Sequence, residues 1–303
     1  MTRARRVAFL CLGVMGGPMA GHLARAGHAV RVYNRTVSRA EDWCSTHAEF
    51  DVDCAATPAD AVREAEFVFA CTGADPDLRA ITLGDGGAFE AMSPDTIFVD
   101  HTTASAGIAR ELDAAASERG FAFLDAPVSG GQAGAEDGAL TIMLGGGEES
   151  YRRVVPLLDH YAKKHLLLGP AGHGQLAKMV NQICIAGLIE ALSEGLHFAE
   201  QAGLDVERVV EVISEGAAGS WQMQNRAKSM IEGRFDFGFA VDWMRKDLGM
   251  AFEEAALRGV DLPLTRDVDA RYASLQEGGG GRLDTSSLIL ALRAEASSRD
   301  RSK

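Results

Sequence analysis

Several clusters in this 303-residue chain have the residue types and spacing that chemistry requires. Cys11-Leu12-Gly13-Val14-Met15-Gly16 follows an apolar run and opens a helix-like stretch in which Pro18 comes early, where its missing N–H costs little. Glycines at such a strand-to-helix turn let a pyrophosphate approach the backbone and rest on the helix N-terminus. The pattern departs from G-x-G-x-x-G at its first position, where Cys11 stands; binding is expected to survive with the turn slightly altered, and a glycine-rich turn without a ligand is the alternative to a pattern that is weak when alone. An NAD-binding unit carries an acidic residue for the ribose 2′-hydroxyl at the end of its second strand. Here that place holds Asn34, then Arg35, Thr36 and, one helical turn on, Arg39. Asn34 imposes no repulsion on a 2′-phosphate, Arg35 supplies a forked cation and Thr36 a hydroxyl. The expected cofactor is NADP(H) in preference to NAD(H), with two ordinary surface arginines as the plainer alternative.

Asp125-Ala126-Pro127-Val128-Ser129-Gly130-Gly131 leaves another apolar run and ends in a serine before two residues with no side chain. Such a turn can offer the Ser129 hydroxyl and the Gly130 and Gly131 N–H groups to one small carboxylate, although by itself it reads as a tight turn. Further on, Lys178, Asn181 and Gln182 share one face of a helix rich in Leu, Ala, Met, Val and Ile. A lysine in so apolar a helix, beside two amides, is expected to be semi-buried and to face a cleft.

These groups need a scaffold. Short apolar runs at Val7–Leu12, Ala29–Tyr33, Phe67–Cys71, Ile97–Asp100, Phe121–Asp125, Leu140–Leu144 and His165–Leu168 alternate with helix-like stretches. That alternation predicts a doubly wound α/β domain of Rossmann type over residues 1–168, its mainly parallel sheet covered on both faces. After Gly169-Pro170 the strand signals stop. Residues 169–303 are expected to form an all-α domain, with a long interdomain helix near 174–202 that is apolar over most of its circumference and so buried on several sides. Helical stretches follow at Asp205–Glu215, Gln222–Glu232, Asp242–Arg258 and Leu264–Gln276.

Composition narrows the function further. The net charge of −13, spread evenly along the chain, argues against a nonspecific grip on nucleic acid or anionic membranes. Five cysteines form no C-x-x-C pair and no zinc-spaced set with histidine, so no metal is expected and a reduced, cytoplasmic interior is. The basic N-terminus resembles a signal peptide, but Gly13, Gly16, Gly17 and Pro18 interrupt its apolar run. No later run reaches the roughly 18 consecutive apolar residues that span a bilayer.

Taken together, the segments resemble the β-hydroxyacid dehydrogenase family, that of 3-hydroxyisobutyrate dehydrogenase and tartronate semialdehyde reductase, over nearly the whole chain. The family turn G-L-G-x-M-G is matched by Leu12, Gly13, Met15 and Gly16, and D-x-P-V-S-G-G is complete at Asp125 to Gly131. G-x-x-x-K-x-x-N is matched by Gly174, Lys178 and Asn181, and K-D-L by Lys246-Asp247-Leu248. Asp100-His101-Thr102-Thr103 resembles the segment whose threonine lies near the nicotinamide. Three departures stand out: Cys11 for the first glycine, Gln182 for a second Asn, and Thr72-Gly73 for a frequent Leu-Pro near the cofactor.

The resemblance implies reversible hydride transfer between a nicotinamide and a small 3-hydroxy acid, or the matching semialdehyde. Lys178 would be the general acid/base, its charge disfavoured by desolvation and by an adjacent oxidised nicotinamide. Ser129, Gly130 and Gly131 would hold the substrate carboxylate and Asn181 would orient the substrate. Gln182, Trp221, Phe239 and Asp242 would complete the pocket, with core packing the alternative for Trp221 and Phe239. Lys246 would reach toward the cofactor, unless it is a solvated lysine beside Asp247. A homodimer or homotetramer is implied on the same ground. The competing readings are an NADPH-dependent reductase of a small semialdehyde or glyoxylate, and a non-enzymatic cofactor-binding protein.

Overall fold

In the computed structural model, which describes residues 3–300, the chain divides into two compact units, Met1–Lys178 and Met179–Lys303. The strands of the first unit are β1 (Arg6–Leu10), β2 (Ala29–Tyr33), β3 (Val52–Cys54), β4 (Phe67–Ala70), β5 (Ile97–Asp100), β6 (Ala122–Asp125), β7 (Val128–Ser129), β8 (Leu140–Gly146) and β9 (Ala162–Leu167). Its helices are α1 (Gly16–Arg25), α2 (Val37–Thr46), α3 (Pro58–Val62), α4 (Asp75–Leu83), α5 (Ala106–Glu118), α6 (Gly131–Glu136) and α7 (Glu148–Leu158). A long helix, α8 (His173–Gln201), begins in the first unit and continues into the second.

The first six strands are parallel in the order β3-β2-β1-β4-β5-β6. β8 lies antiparallel beside β6 and pairs with β7 and β9. Both faces of the central strands are covered, so alternation along β1, β4, β5 and β6 feeds two cores. Val7, Phe9, Phe67 and Phe69 enter one; Ala8, Leu10, Val68 and Phe98 enter the other. Leu10 pairs with Ala70, Ala70 with Asp100 and Asp100 with Asp125. The loops after β1, β4, β5 and β6 therefore emerge side by side at the carboxyl edge of the sheet, where ligands of open α/β sheets bind.

Each of the seven expected apolar runs contains a strand, with ends displaced by at most three residues. Two short strands were not expected. β3 is a three-residue edge strand without a buried side chain, and β7 is two residues inside a turn-like segment.

The second unit is helical: the rest of α8, then α9 (Val206–Ile213), α10 (Trp221–Ile231), α11 (Val241–Leu257), α12 (Pro263–Glu277) and α13 (Leu288–Asp300). One core gathers Ala186, Ile189, Met244, Leu248, Val268 and Tyr272; another gathers Leu192, Leu196, Met223, Met230, Phe235 and Ile289. α13 was not expected, yet its Leu288 and Ile289 are fully buried.

By length and mean hydropathy α8 would suffice to cross a bilayer, although its polar residues leave no unbroken apolar run of that length, as expected. Those polar residues are used internally: Glu190, buried, pairs with Arg271 of α12 at 3.0 Å. The expected burial of α8 on several sides is incomplete. Val180, Cys184, Leu188, Ala191, Gly195 and Phe198, spaced by three and four, form an exposed line, with Phe198 71% accessible.

Candidate active site

The loop after β1 is built to meet an anion. Cys11 N–H donates to the Tyr33 carbonyl at 2.7 Å, and Leu12 N–H to Asn34 Oδ1 at 3.0 Å. Asn34 Nδ2 in turn donates to the Thr36 carbonyl at 3.0 Å, so this amide braces the glycine turn against the end of β2. An aspartate could accept from Leu12 but could not donate to Thr36. Cys11 has φ +75°, the left-handed region in which a side chain is strained, which is the physical reason for a glycine at this point of the fingerprint. Burial pushes its thiol up to about 11, so the group is neutral.

A Cβ on Gly16 would collide with the Cys11 carbonyl, whereas a Cβ on Gly13 would meet nothing within 4 Å. Gly16 thus lets α1 pack, and Gly13 leaves open space in front of it. The N-cap of α1, Met15, offers no side-chain acceptor to the first-turn N–H groups, which suits an external phosphate. These residues fit a dinucleotide. Leu12 is buried beneath the turn, while Val14 is exposed beside it. Arg35, Thr36 and Arg39 are all exposed, and Arg35 meets Asp77 of α4 at 3.2 Å.

The loops after β4 and β5 are laced together. Thr72 N–H donates to Thr102 Oγ1 at 2.9 Å, and Ser105 N–H donates to Asp75 Oδ1 at 2.9 Å; Gly73 and the half-buried Thr103 lie between these ties. Asp100 Oδ1 accepts from Thr102 N–H at 2.9 Å. Its Oδ2 is buried without a hydrogen-bond partner among the described residues, and burial pushes this carboxyl up to about 7. His101 beside it is held neutral, pushed down to about 4 by burial.

The raised Asp100 carboxyl predicts a pH effect. Below about pH 4 it is neutral in both the folded and the unfolded chain; between about pH 4 and 7 only the unfolded chain ionises, so folding stability falls as pH rises, by roughly 4 kcal/mol in all. Asp100→Asn, neutral throughout, should therefore gain on the parent by a few kcal/mol between about pH 5 and pH 8 in urea denaturation. Parallel pH dependences of the two proteins would contradict the assignment.

The third loop carries the Ser129 turn. Ser129 closes β7 opposite Thr141 of β8, and Gly130 and Gly131 follow at φ +134° and +62°, conformations that demand glycine. Asp125, fully buried at the start of this segment, reaches the beginning of α8. Its Oδ1 accepts from Gly172 N–H at 2.7 Å and its Oδ2 from Gln175 N–H at 2.9 Å. Burial still raises its pKa above the usual range, against these donors. Gln175 Oε1 accepts from Ala104 N–H at 3.0 Å, and its Nε2 donates to the Thr102 carbonyl at 2.7 Å. One turn further along α8 stands Lys178, only 7% exposed.

Within the second unit Asn181 and Gln182 are joined to the K-D-L segment. Asn181 Nδ2 donates to Gln182 Oε1 at 2.8 Å, and Gln182 Nε2 donates to the buried Asp247 at 2.7 Å. Lys246 Nζ lies 3.3 Å from the same carboxylate. Of the other expected pocket residues, Trp221 is exposed with the Arg226 guanidinium 5.0 Å from its ring centre, and Phe239 packs half-buried on the α8–α11 core. Asp242 accepts from Gln276 of α12 at 2.6 Å. Asp125, Gln175 and Asp247 were not singled out from sequence. Asp125 and Asp247 stood inside quoted motifs, but no local pattern marks a glutamine three residues before a lysine.

Comparison with known proteins covers both units. Residues 6–169 match the family described as the NAD binding domain of 6-phosphogluconate dehydrogenase, and residues 172–292 the NAD-binding family of NADP-dependent 3-hydroxyisobutyrate dehydrogenase. An uncharacterized oxidoreductase of Shewanella frigidimarina is 54% identical over 96% of this chain and 99% of its own. The 2-hydroxy-3-oxopropionate reductase of Escherichia coli is 34% identical over 96% of this chain and 98% of its own. Among solved structures, Mycobacterium tuberculosis 3-hydroxyisobutyrate dehydrogenase with L-serine is 33% identical with a TM-score of 0.87, covering 96% of this chain and 100% of that one.

Proposed function

The chain belongs to the NAD(P)-dependent 3-hydroxyacid dehydrogenase family that includes 3-hydroxyisobutyrate dehydrogenase, and from that membership we propose that it interconverts a small 3-hydroxy acid and the matching semialdehyde. The observation that carries this reading is a set of hydrogen bonds made by Gly172 and Gln175 at the start of α8, the latter three residues before Lys178. They tie that start to Asp125 at the head of the Ser129 segment and to Thr102 and Ala104 on either side of Thr103.

When bound, the nicotinamide supplies or accepts the hydride. Ser129 with the N–H groups of Gly130 and Gly131 binds the substrate carboxylate. Lys178 Nζ takes the proton from the substrate hydroxyl in oxidation and returns it in reduction. Asn181 orients the substrate, its own amide fixed through Gln182 to Asp247. Gln182, Trp221, Phe239 and Asp242 remain the proposed pocket residues of the helical unit. Leu12, Gly13, Val14, Met15 and Gly16 cradle the pyrophosphate, while Thr72, Gly73 and Thr103 flank the nicotinamide and Lys246 the cofactor.

NADP(H) is the proposed preference, with Arg35, Thr36 and Arg39 on the 2′-phosphate and Asn34 leaving that place uncharged. The exposed line on α8 supports self-association as a dimer or tetramer, for which light scattering should return a multiple of 32.2 kDa. A reductase working from the semialdehyde is favoured by the named activity of the Escherichia coli relative.

Nicotinamide absorbance, followed across both cofactors with 3-hydroxyisobutyrate, serine, 3-hydroxypropionate, glycerate, their semialdehydes and glyoxylate, tests the reading. Turnover of at least one 3-hydroxy acid or semialdehyde is expected, with kcat/KM for NADP(H) falling selectively in Arg35→Ala. Turnover of glyoxylate alone would favour that reductase, and no turnover with intact cofactor binding would leave a cofactor-binding protein. Equal efficiencies for the two cofactors, unchanged by the substitution, would remove the NADP(H) preference.

A further inference from the structure

Gln175 has no accessible surface, and both ends of its side-chain amide as well as its backbone N–H are hydrogen-bonded. Its side-chain oxygen takes the Ala104 N–H, its side-chain nitrogen serves the Thr102 carbonyl, and its backbone N–H goes to Asp125. The two backbone groups gripped by the amide are those on either side of Thr103. We propose that Gln175 is a positioning residue of the reaction, its amide clamping the Thr103 segment to the first turn of the helix that carries Lys178.

The roles of Thr103 and Lys178 rest on the hydride-transfer reading above; the clamp itself rests on hydrogen bonds. Only an amide suits this place. It must accept at one end and donate at the other, and a methionine of similar length would fill the volume but leave Thr102 C=O and Ala104 N–H buried and unpaired. An ionised glutamate would accept from Ala104 but face the Thr102 carbonyl with a second acceptor; protonated, it recovers the donor. The Thr102 side is already braced by Asp100 and Thr72, so the sheet edge keeps its own support when the clamp is lost. What changes is the placement of Thr103 relative to Lys178, and misplacement on the scale of an ångström costs up to about 100-fold in rate.

The test compares the parent with Gln175→Met and Gln175→Glu. Amide hydrogen exchange at Ala104, measured without cofactor, should be slow in the parent and markedly faster in Gln175→Met. In turnover assays kcat should fall by about 10- to 100-fold with a smaller change in KM. In Gln175→Glu, kcat should be low at alkaline pH and recover toward the parent as the buried carboxyl is protonated, which also shows that the variant folds. Unchanged exchange at Ala104 would overturn the clamp. Faster exchange with parental kcat, or a parental pH profile in Gln175→Glu, would overturn its positioning role. Absence of turnover by the parent with every 3-hydroxy acid and semialdehyde offered would instead remove the hydride-transfer reading and leave the exchange result standing.

Discussion

Lys178→Ala should lower kcat by about 10²- to 10⁴-fold, the usual contribution of a positioned acid/base, while NADPH binding by fluorescence titration stays near that of the parent. The split follows from where the residue stands. Lys178 lies on α8 and belongs to neither the glycine turn nor the Arg35 loop that are proposed to hold the cofactor, so its loss removes proton transfer and leaves those loops intact. Being almost fully buried, it cannot be replaced by a surface lysine, and bulk water is a weak substitute. A small primary amine added to the variant should restore part of the rate, because the truncated side chain leaves room for one. Parental kcat in Lys178→Ala would refute the assignment, and equal loss of NADPH binding would move the lysine from the chemistry to the cofactor.

The second large effect is expected at Gly174. A Cβ there would lie 2.5 Å from the Met143 carbonyl oxygen and 2.8 Å from both the carbonyl oxygen and Oδ2 of Asp125, closer than real Cβ atoms approach backbone. The helix start would have to lift off the strand ends, taking the Asp125 and Gln175 hydrogen bonds with it. Gly174→Ala should therefore cost about 3 kcal/mol or more in urea denaturation and most of the activity. Gly249→Ala is the control: it sits inside α11, where a Cβ meets nothing within 4 Å, and the added methyl should stabilise by up to about 1 kcal/mol. Similar modest effects at the two positions would show that α8 does not need its close approach.

The scaffold was readable because its signals are local. Apolar runs such as Phe67–Cys71 and Ile97–Asp100 coincide with strands to within a residue, since burial on both faces leaves each little freedom of composition. β3 escaped because an exposed three-residue edge strand has no such pattern, and α13 because its Leu288 and Ile289 are buried against partners distant in the chain. At the site, the Gly13–Gly16 turn and the Ser129 turn could be read because each needs glycine for a steric reason visible in a short segment. Gln175 and Asp125 could not. Their roles consist of bonds across 71 and 50 residues of chain, which leave no mark on the local sequence.

α8 also bears on how such proteins can be recombined. One uninterrupted helix holds the last residue of the first unit and the first of the second, and its opening turn is bonded to strand ends laid down fifty or more residues earlier. The natural seam for exchanging helical halves between relatives is therefore not the Gly169-Pro170 bend that breaks the sequence pattern. A chimera joined there would inherit a foreign Gly172–Lys178 segment against a native Asp125 and Thr102. A junction just after Lys178 keeps donor and acceptor from the same parent, at the expense of cutting through a helix.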